Sequence, residues 1–225
     1  MKSSTKVYKR ELAYYFTTPV AYIVIGLYLI GISLFLWVIP GQYNIVESGY
    51  SQVDGLFELS PWLMILLCPA LTMRLFAEDK QSGMWELLRT KPYPLWRIVM
   101  DKYLAAWTLM LIGLLPNIIH YFIVSYIAEP IGNIDTAQFC GSFIGLILLS
   151  SAFLGIGLVM SSFTLNQIVA YILGALSSFV LYWVSMQDFY TSLSRGVIDL
   201  RDMLYFLSIA VTGVIVTIFV LDRKP

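Results

Sequence analysis

The side chains able to do chemistry are few and scattered. There is one histidine, His120, and it lies one helical turn from Asn117, beside Pro116. The pair reads either as a polar spot on a pathway or as partners for backbone groups that a proline frees inside a helix. Helices interrupted by proline need such partners in lipid, which favours the second reading. One histidine cannot hold zinc without further ligands. Cys68 and Cys140 sit inside apolar runs, where a thiol behaves as a small hydrophobe; two such cysteines build neither a metal cluster nor a disulfide framework. Serines are plentiful, but a serine nucleophile needs a positioned base, and no carboxylate lies in the middle of any apolar run. That same lack of mid-run Asp, Glu, Lys or Arg argues against a proton relay, an ion pump or a voltage sensor. No Gly-x-x-x-x-Gly-Lys-Ser/Thr phosphate loop occurs, so nucleotide chemistry, if any drives this protein, belongs to another chain.

One segment does concentrate interaction chemistry. Residues 78–92 read Glu78-Asp79-Lys80-Gln81-Ser82-Gly83-Met84-Trp85-Glu86-Leu87-Leu88-Arg89-Thr90-Lys91-Pro92. Gly83 and Pro92 bracket a short helix-capable stretch. Met84, Trp85, Leu87 and Leu88 are too many apolar groups for a solvated linker. They must bury against the lipid interface, another protein, or the ends of neighbouring helices. With Glu78, Asp79, Glu86, Arg89 and Lys91 around them they form an apolar centre with a charged rim, the anatomy of a protein interface.

The elements that position this segment follow from composition. Of 225 residues 59% are apolar and only 12% charged, against about 25% charged in soluble domains. Fourteen basic residues offset fourteen acidic ones and no basic tract stands out, so nucleic acid is not a partner. A membrane span needs roughly 20 mostly apolar residues, and the gaps between charges place six spans near 20–39, 60–77, 96–127, 139–163, 167–187 and 203–221. Within the 52 uncharged residues at 136–187, the polar break Thr164-Leu165-Asn166-Gln167 predicts a tight turn. Thr18-Pro19 and Ser60-Pro61 read as helix starts, Pro94 as a first helical position, and Pro116 as a kink. Solidly apolar runs exclude a barrel, whose strands alternate. The expected fold is an all-α polytopic membrane protein forming a single domain over 1–225.

Twelve of the 14 basic residues fall in segments on the side of the N-terminus, and only Arg195 and Arg201 on the other. This predicts both termini in the cytoplasm. The basic N-terminus runs into an apolar stretch too long for a cleaved signal peptide, so it reads as an uncleaved span. Over 5–17, Tyr8, Leu12, Tyr15 and Phe16 recur at helical spacing opposite Lys6, Lys9 and Arg10, which predicts an amphipathic helix lying on membrane lipid at the inner interface. Small residues mark close helix contacts: Gly141 and Gly145 in the fourth span, and Ala170, Gly174 and Ser178 in the fifth. Their spacing leaves open whether they meet within the chain or across a second copy.

The arrangement resembles the ABC-2 type transporter permeases. Lys9-Arg10-Glu11-Leu12 followed by Thr18-Pro19 and Tyr22 is similar to that family's opening. Pro69-Ala70-Leu71-Thr72-Met73-Arg74-Leu75-Phe76-Ala77-Glu78-Asp79-Lys80, then Gly83, Glu86-Leu87-Leu88 and Lys91-Pro92, resemble its cytoplasmic loop. Within the family, Phe35-Leu36-Trp37, Pro40-Gly41-Gln42-Tyr43-Asn44-Ile45, Gly132-Asn133-Ile134-Asp135 and Ser194-Arg195-Gly196-Val197-Ile198-Asp199-Leu200-Arg201-Asp202 resemble the GldF group of gliding-motility permeases of Bacteroidetes. The segment between the fifth span and Ser194 is shorter than that group's pattern.

The resemblance implies an ABC-2 (type V, ABCG-like) permease of the bacterial inner membrane. It carries no cofactor of its own and works with a cytoplasmic ABC ATPase subunit that binds ATP and Mg, a GldG-like membrane partner and a possible second permease copy. It also implies that the coupling loop at 78–95 contacts the ATPase. The rival reading from the residues alone is a membrane scaffold or sensor that moves no cargo.

Overall fold

The computed structural model describes residues 5–49, 53–90, 93–194, 196 and 199–223. Of the residues named above, Lys91, Pro92, Arg195, Val197 and Ile198 lie outside the described residues, as do the basic Lys2 and Lys224. Among those described there is no strand. The helices are α1 (Thr5–Thr17), α2 (Val20–Trp37), α3 (Ile45–Ser48), α4 (Asp54–Gln81), α5 (Met84–Arg89), α6 (Leu95–Leu114), α7 (Ile118–Ile127), α8 (Thr136–Phe163), α9 (Gln167–Leu181), α10 (Gln187–Ser194) and α11 (Leu200–Arg223). Six continuous helical stretches are long and apolar enough to cross a membrane: α2, α4, α6 with α7, α8, α9 with α10, and α11.

The fourth span, α8, is the hub. It packs against α4, α6, α9, α10 and α11 and is buried on nearly every side, as a helix apolar all round should be. Small residues permit this. A methyl added at Gly155 would stand 3.1 Å from Ala210 Cα, and one at Gly213 would stand 2.7 Å from the Gly155 carbonyl oxygen, so α8 and α11 touch backbone to backbone. Gly141 and Gly145 face Leu193 and Tyr190 at the end of α10, while Gly174 faces Pro69. Ala170 and Ser178 are buried with it along α9. Of the five small residues, the three glycines thus face other segments of this chain.

One proline expectation is corrected, and so is the role expected of His120. The second span does not start at Ser60-Pro61; α4 begins at Asp54 and carries Pro61 and Pro69 inside it. Proline removes an N–H that would bond the carbonyl four residues earlier. For Pro61 that carbonyl belongs to Phe57, and it accepts instead from the Tyr190 hydroxyl at 2.8 Å. Ser60 turns its hydroxyl to Leu56 O at 2.6 Å and shares a 2.8 Å hydrogen bond with Tyr28 of α2. In the third span, Pro116 sits in a short 3₁₀ turn, Leu115–Asn117, between α6 and α7. Asn117 Nδ2 donates to Leu114 O at 2.9 Å, which serves the backbone as expected. His120 does not: its Nδ1 accepts from Trp37 Nε1 at 3.1 Å and joins the first and third spans.

The fifth span also runs further than 187. A π-helical turn, Tyr182–Met186, carries α9 directly into α10. At the opposite end of α9 the chain turns through residues 164–166, where Asn166 Oδ1 accepts from the Ile168 N–H at 2.9 Å and caps the helix.

A charged junction at the N-terminal end of the bundle

Helix α1 is held by three residues spaced four apart. Val7, Glu11 and Tyr15 all face the bundle and are buried. The Tyr15 hydroxyl donates to Leu71 O in α4 at 2.7 Å. Tyr8 shares a 3.1 Å hydrogen bond with Thr108 of α6. Of the four residues expected to rest on lipid, Tyr8 and Tyr15 therefore pack on protein, Leu12 is half-buried and Phe16 is exposed. The reason is the third span: α1 lies along α6, which offers the Thr108 hydroxyl to Tyr8.

Between α1, α4 and α6 lies a buried cation. Lys102 is 1% exposed; its Nζ donates to Glu11 Oε1 at 3.1 Å and to Leu75 O at 2.7 Å, and lies 2.7 Å from Asp79 Oδ2. Two oxygens thus accept its hydrogen bonds and a second carboxylate stands beside it as counter-charge, the kind of pairing that makes a buried ammonium tolerable. Glu11 is further paired with Arg10 at 2.6 Å. Burial pushes the Glu11 carboxyl up, but Lys102 and Arg10 outweigh that and hold it below its ordinary value.

Arg74 is the second buried cation. Rather than reaching out along the span to the headgroups, its guanidinium stacks over the rings of Tyr14 at 4.0 Å and Tyr15 at 4.3 Å, a favourable cation–π geometry. Tyr14 in turn donates to Glu78 at 3.2 Å. Partial burial and the Glu78 charge both raise the Tyr14 phenol. Helix α1 so grips the last turns of α4 at Leu71, Arg74 and Glu78, along one face.

Those last turns contain a splice. Ser161 of α8 donates its hydroxyl to Met73 O at 2.9 Å and accepts from the N–H groups of Phe76 and Ala77 at 3.1 and 3.2 Å. A hydroxyl inserted into the i→i−4 ladder is a recognised cause of a local bend. Beyond it, Lys80 Nζ donates to Ser162 O. The segment of α4 that leaves the bundle is thus joined to α8 at Ser161 and Ser162, to α6 at Lys102, and to α1 at Glu78.

The expected coupling loop at 78–95 is in part helix. Helix α4 persists to Gln81, Gly83 turns the chain in the left-handed region at φ 72°, and α5 follows. The four apolar residues of α5 divide into two faces. Trp85 and Leu88 are buried, with the Trp85 ring edge-on to Phe76 at 5.7 Å. Met84 is 41% and Leu87 60% exposed, and Glu86 is exposed beside them. Trp85 and Leu88 are accordingly corrected from exposed contact residues to buried ones, and Trp85 anchors α5 against Phe76 of α4. Glu78 and Asp79 are partly buried and already engaged with Tyr14 and Lys102. Arg89 ends α5, and Lys91 lies outside the described residues. A cleft of 230 Å³, bounded by Arg10, Tyr14, Arg74, Glu78, Ser82 and Met84 among others, separates α1 from α5.

Sequence reasoning placed Lys102 and Glu11 in flanking segments and missed their pairing. A signal was present: Glu11 is the only acid in the first 46 residues, in a flank otherwise basic.

Six apolar helical spans with α8 as their hub, and a short helix α5 beyond the end of α4 with one face exposed, define a multi-pass membrane protein. The chain belongs to the ABC-2 transporter family: the family model described as ABC-2 family transporter protein matches residues 52–221. Membership makes it a membrane permease subunit and implies an ABC ATPase partner in general. No curated protein matches the chain.

Proposed function

We propose that this chain is the membrane half of an ATP-driven ABC-2 transporter of the GldF-like group, in which a separate cytoplasmic subunit binds ATP and Mg and hydrolyses the nucleotide. In this reading the protein lies in a bacterial inner membrane with both termini in the cytoplasm. A GldG-like membrane subunit and a second permease copy complete the assembly, and the exposed side of α1, with Phe16, rests on lipid. The uncovered face of α5, Met84, Glu86 and Leu87, docks in a cleft of the ATPase.

The observation that carries the proposal is the division of α5 into an anchored and an exposed face. An anchored helix transmits displacement; a floppy loop would absorb it. Movement of α5 is passed through Trp85 to Phe76 and through the spliced end of α4 to α1, α6 and α8.

Co-purification with the ATPase subunit tests this. Leu87→Asp places a carboxylate in the middle of the contact and is expected to remove the ATPase from the complex; Glu86→Arg reverses a rim charge and mainly slows association. Both should leave the six spans inserted. A Leu87→Asp complex with normal stoichiometry and normal ATP turnover would refute α5 as the docking element. A bound partner without nucleotide turnover would favour a scaffold. Cysteines at residues 48 and 132 labelling from the cytoplasm would reverse the proposed orientation.

A further inference from the structure

At the end of the bundle opposite α1 a cavity of 440 Å³ opens between α4, α8 and the stretch from the π-turn into α10. Its volume lies in the ordinary range for sites that take small organic ligands, about 300–1,000 Å³. The lining is unlike the rest of the membrane domain. Two carboxylates, Asp54 and Glu58, stand one turn apart on α4, with Trp62 another turn along the same helix. Among the described residues that line the cavity there is no Lys, Arg or His.

The site is built rather than accidental. Asp54 Oδ1 accepts from Gln138 Nε2 of α8 at 2.9 Å, which fixes that carboxylate against a neighbouring helix. Trp62 is held with its ring 5.9 Å from, and roughly perpendicular to, that of Tyr182, and Tyr182 is buried. The Tyr190 hydroxyl is committed to Phe57 O, so the ring is the part of Tyr190 that serves the cavity. Aromatic faces, and carboxylates with no basic group among the described lining residues, attract the same kind of ligand, a positive centre carried on an apolar body. An anion would be repelled by both, and a neutral polyol would leave the carboxylates without a counter-charge.

We propose that this cavity binds an organic cation, a quaternary or protonated amine with an apolar substituent, between the Asp54 and Glu58 carboxylates and the Trp62–Tyr182 aromatic pair. The proposal does not depend on the transport reading, because binding is measured on this chain without ATP or its partners.

The test uses three benzene derivatives of similar size, titrated by ligand-observed NMR against the full chain in phosphatidylglycerol nanodiscs, with empty nanodiscs as the blank. They are benzyltrimethylammonium, its uncharged carbon isostere neopentylbenzene, and benzenesulfonate. Saturable binding is expected for the cation alone. Glu58→Gln and Trp62→Leu should each weaken it about ten-fold, whereas Trp62→Tyr, which keeps an aromatic face, should retain it. Glu58 is exposed, so its amide variant keeps the fold. Equal binding of the three probes, or a cation affinity unchanged in both Glu58→Gln and Trp62→Leu, overturns the proposal. Rebuilding the nanodiscs with phosphatidylethanolamine separates two sources of the ammonium group: loss of probe binding assigns the cavity to a lipid headgroup, retention to a soluble amine.

Discussion

Glu11 and Lys102, 91 residues apart in the chain, meet at 3.1 Å inside the protein. This contact, with Asp79 on the other side of the ammonium, makes the amphipathic first helix part of the bundle and not an appendage of the membrane surface. A buried ion network of this kind is weak evidence for stability, since apolar replacements often do as well. Its value here is positional: it sets α1, the end of α4 and the start of α6 in one register.

Removing the cation alone should be costly. Lys102→Met leaves Asp79 without its counter-charge and Glu11 with Arg10 only. We expect a loss of about 3–5 kcal/mol, the range for breaking a buried pair from one side. The triple variant Lys102→Met, Glu11→Gln, Asp79→Asn should recover much of it. Thermal unfolding in detergent reads both, and a Lys102→Met protein as stable as the parent would show that the fold does not depend on this ion network.

The Glu11 carboxyl gives the junction a pH dependence. Its value in the folded protein lies below the ordinary 4.5, so the ionised form is the one the fold favours. The stabilisation is complete above the ordinary value and is lost as pH falls through the lowered one. A spin label on the exposed side of α1 should gain mobility in that acid window. In Glu11→Gln the acid step should vanish, and its persistence would move the transition to another group.

Ser161→Ala deletes the hydroxyl of the α4 splice and leaves three backbone groups of Met73, Phe76 and Ala77 to find new partners. Each buried polar group left unsatisfied costs about 1–3 kcal/mol. If α4 instead closes its own ladder, the loss will be small but the helix will straighten. Distance measurements between labels at residues 66 and 87, compared with the parent, distinguish a straightened α4 from an unchanged one; no change in either distance or stability would mean that the splice is idle.

Glycines give a paired prediction. Gly213→Ala sets a methyl against the Gly155 backbone, which cannot yield as a flexible side chain could, and should cost about 1–3 kcal/mol. Gly26→Ala meets nothing within 4 Å and should be neutral or slightly stabilising, because alanine is the better helix former. Equal melting temperatures for the two variants would contradict the close α8–α11 contact.

The all-helical architecture and its six spans were legible because lipid allows few solutions and charge-free runs mark them. What escaped was everything set by distant partners. Pro61 reads locally as a helix start, and only Tyr190 lets α4 run through it. Trp85 reads as an exposed anchor for a partner, and only Phe76 shows which way it turns. Lys102 reads as one more basic flank residue until Glu11 is placed beside it. Conversely, the small residues of α8 and α9 announced close contacts but carried no information about which helix they meet.

The way α4 is completed also has a timing. The Phe57 carbonyl freed by Pro61 is satisfied by a residue 133 positions further on, and the groups around Met73 and Ala77 by one 84 to 88 positions further on. At ribosomal rates these partners arrive on the order of ten seconds after the backbone they serve. For that interval the second span must stand with its open carbonyls and amides among water, lipid headgroups or the insertion machinery. Its final shape is thus decided only once Ser161 and Tyr190 have been made.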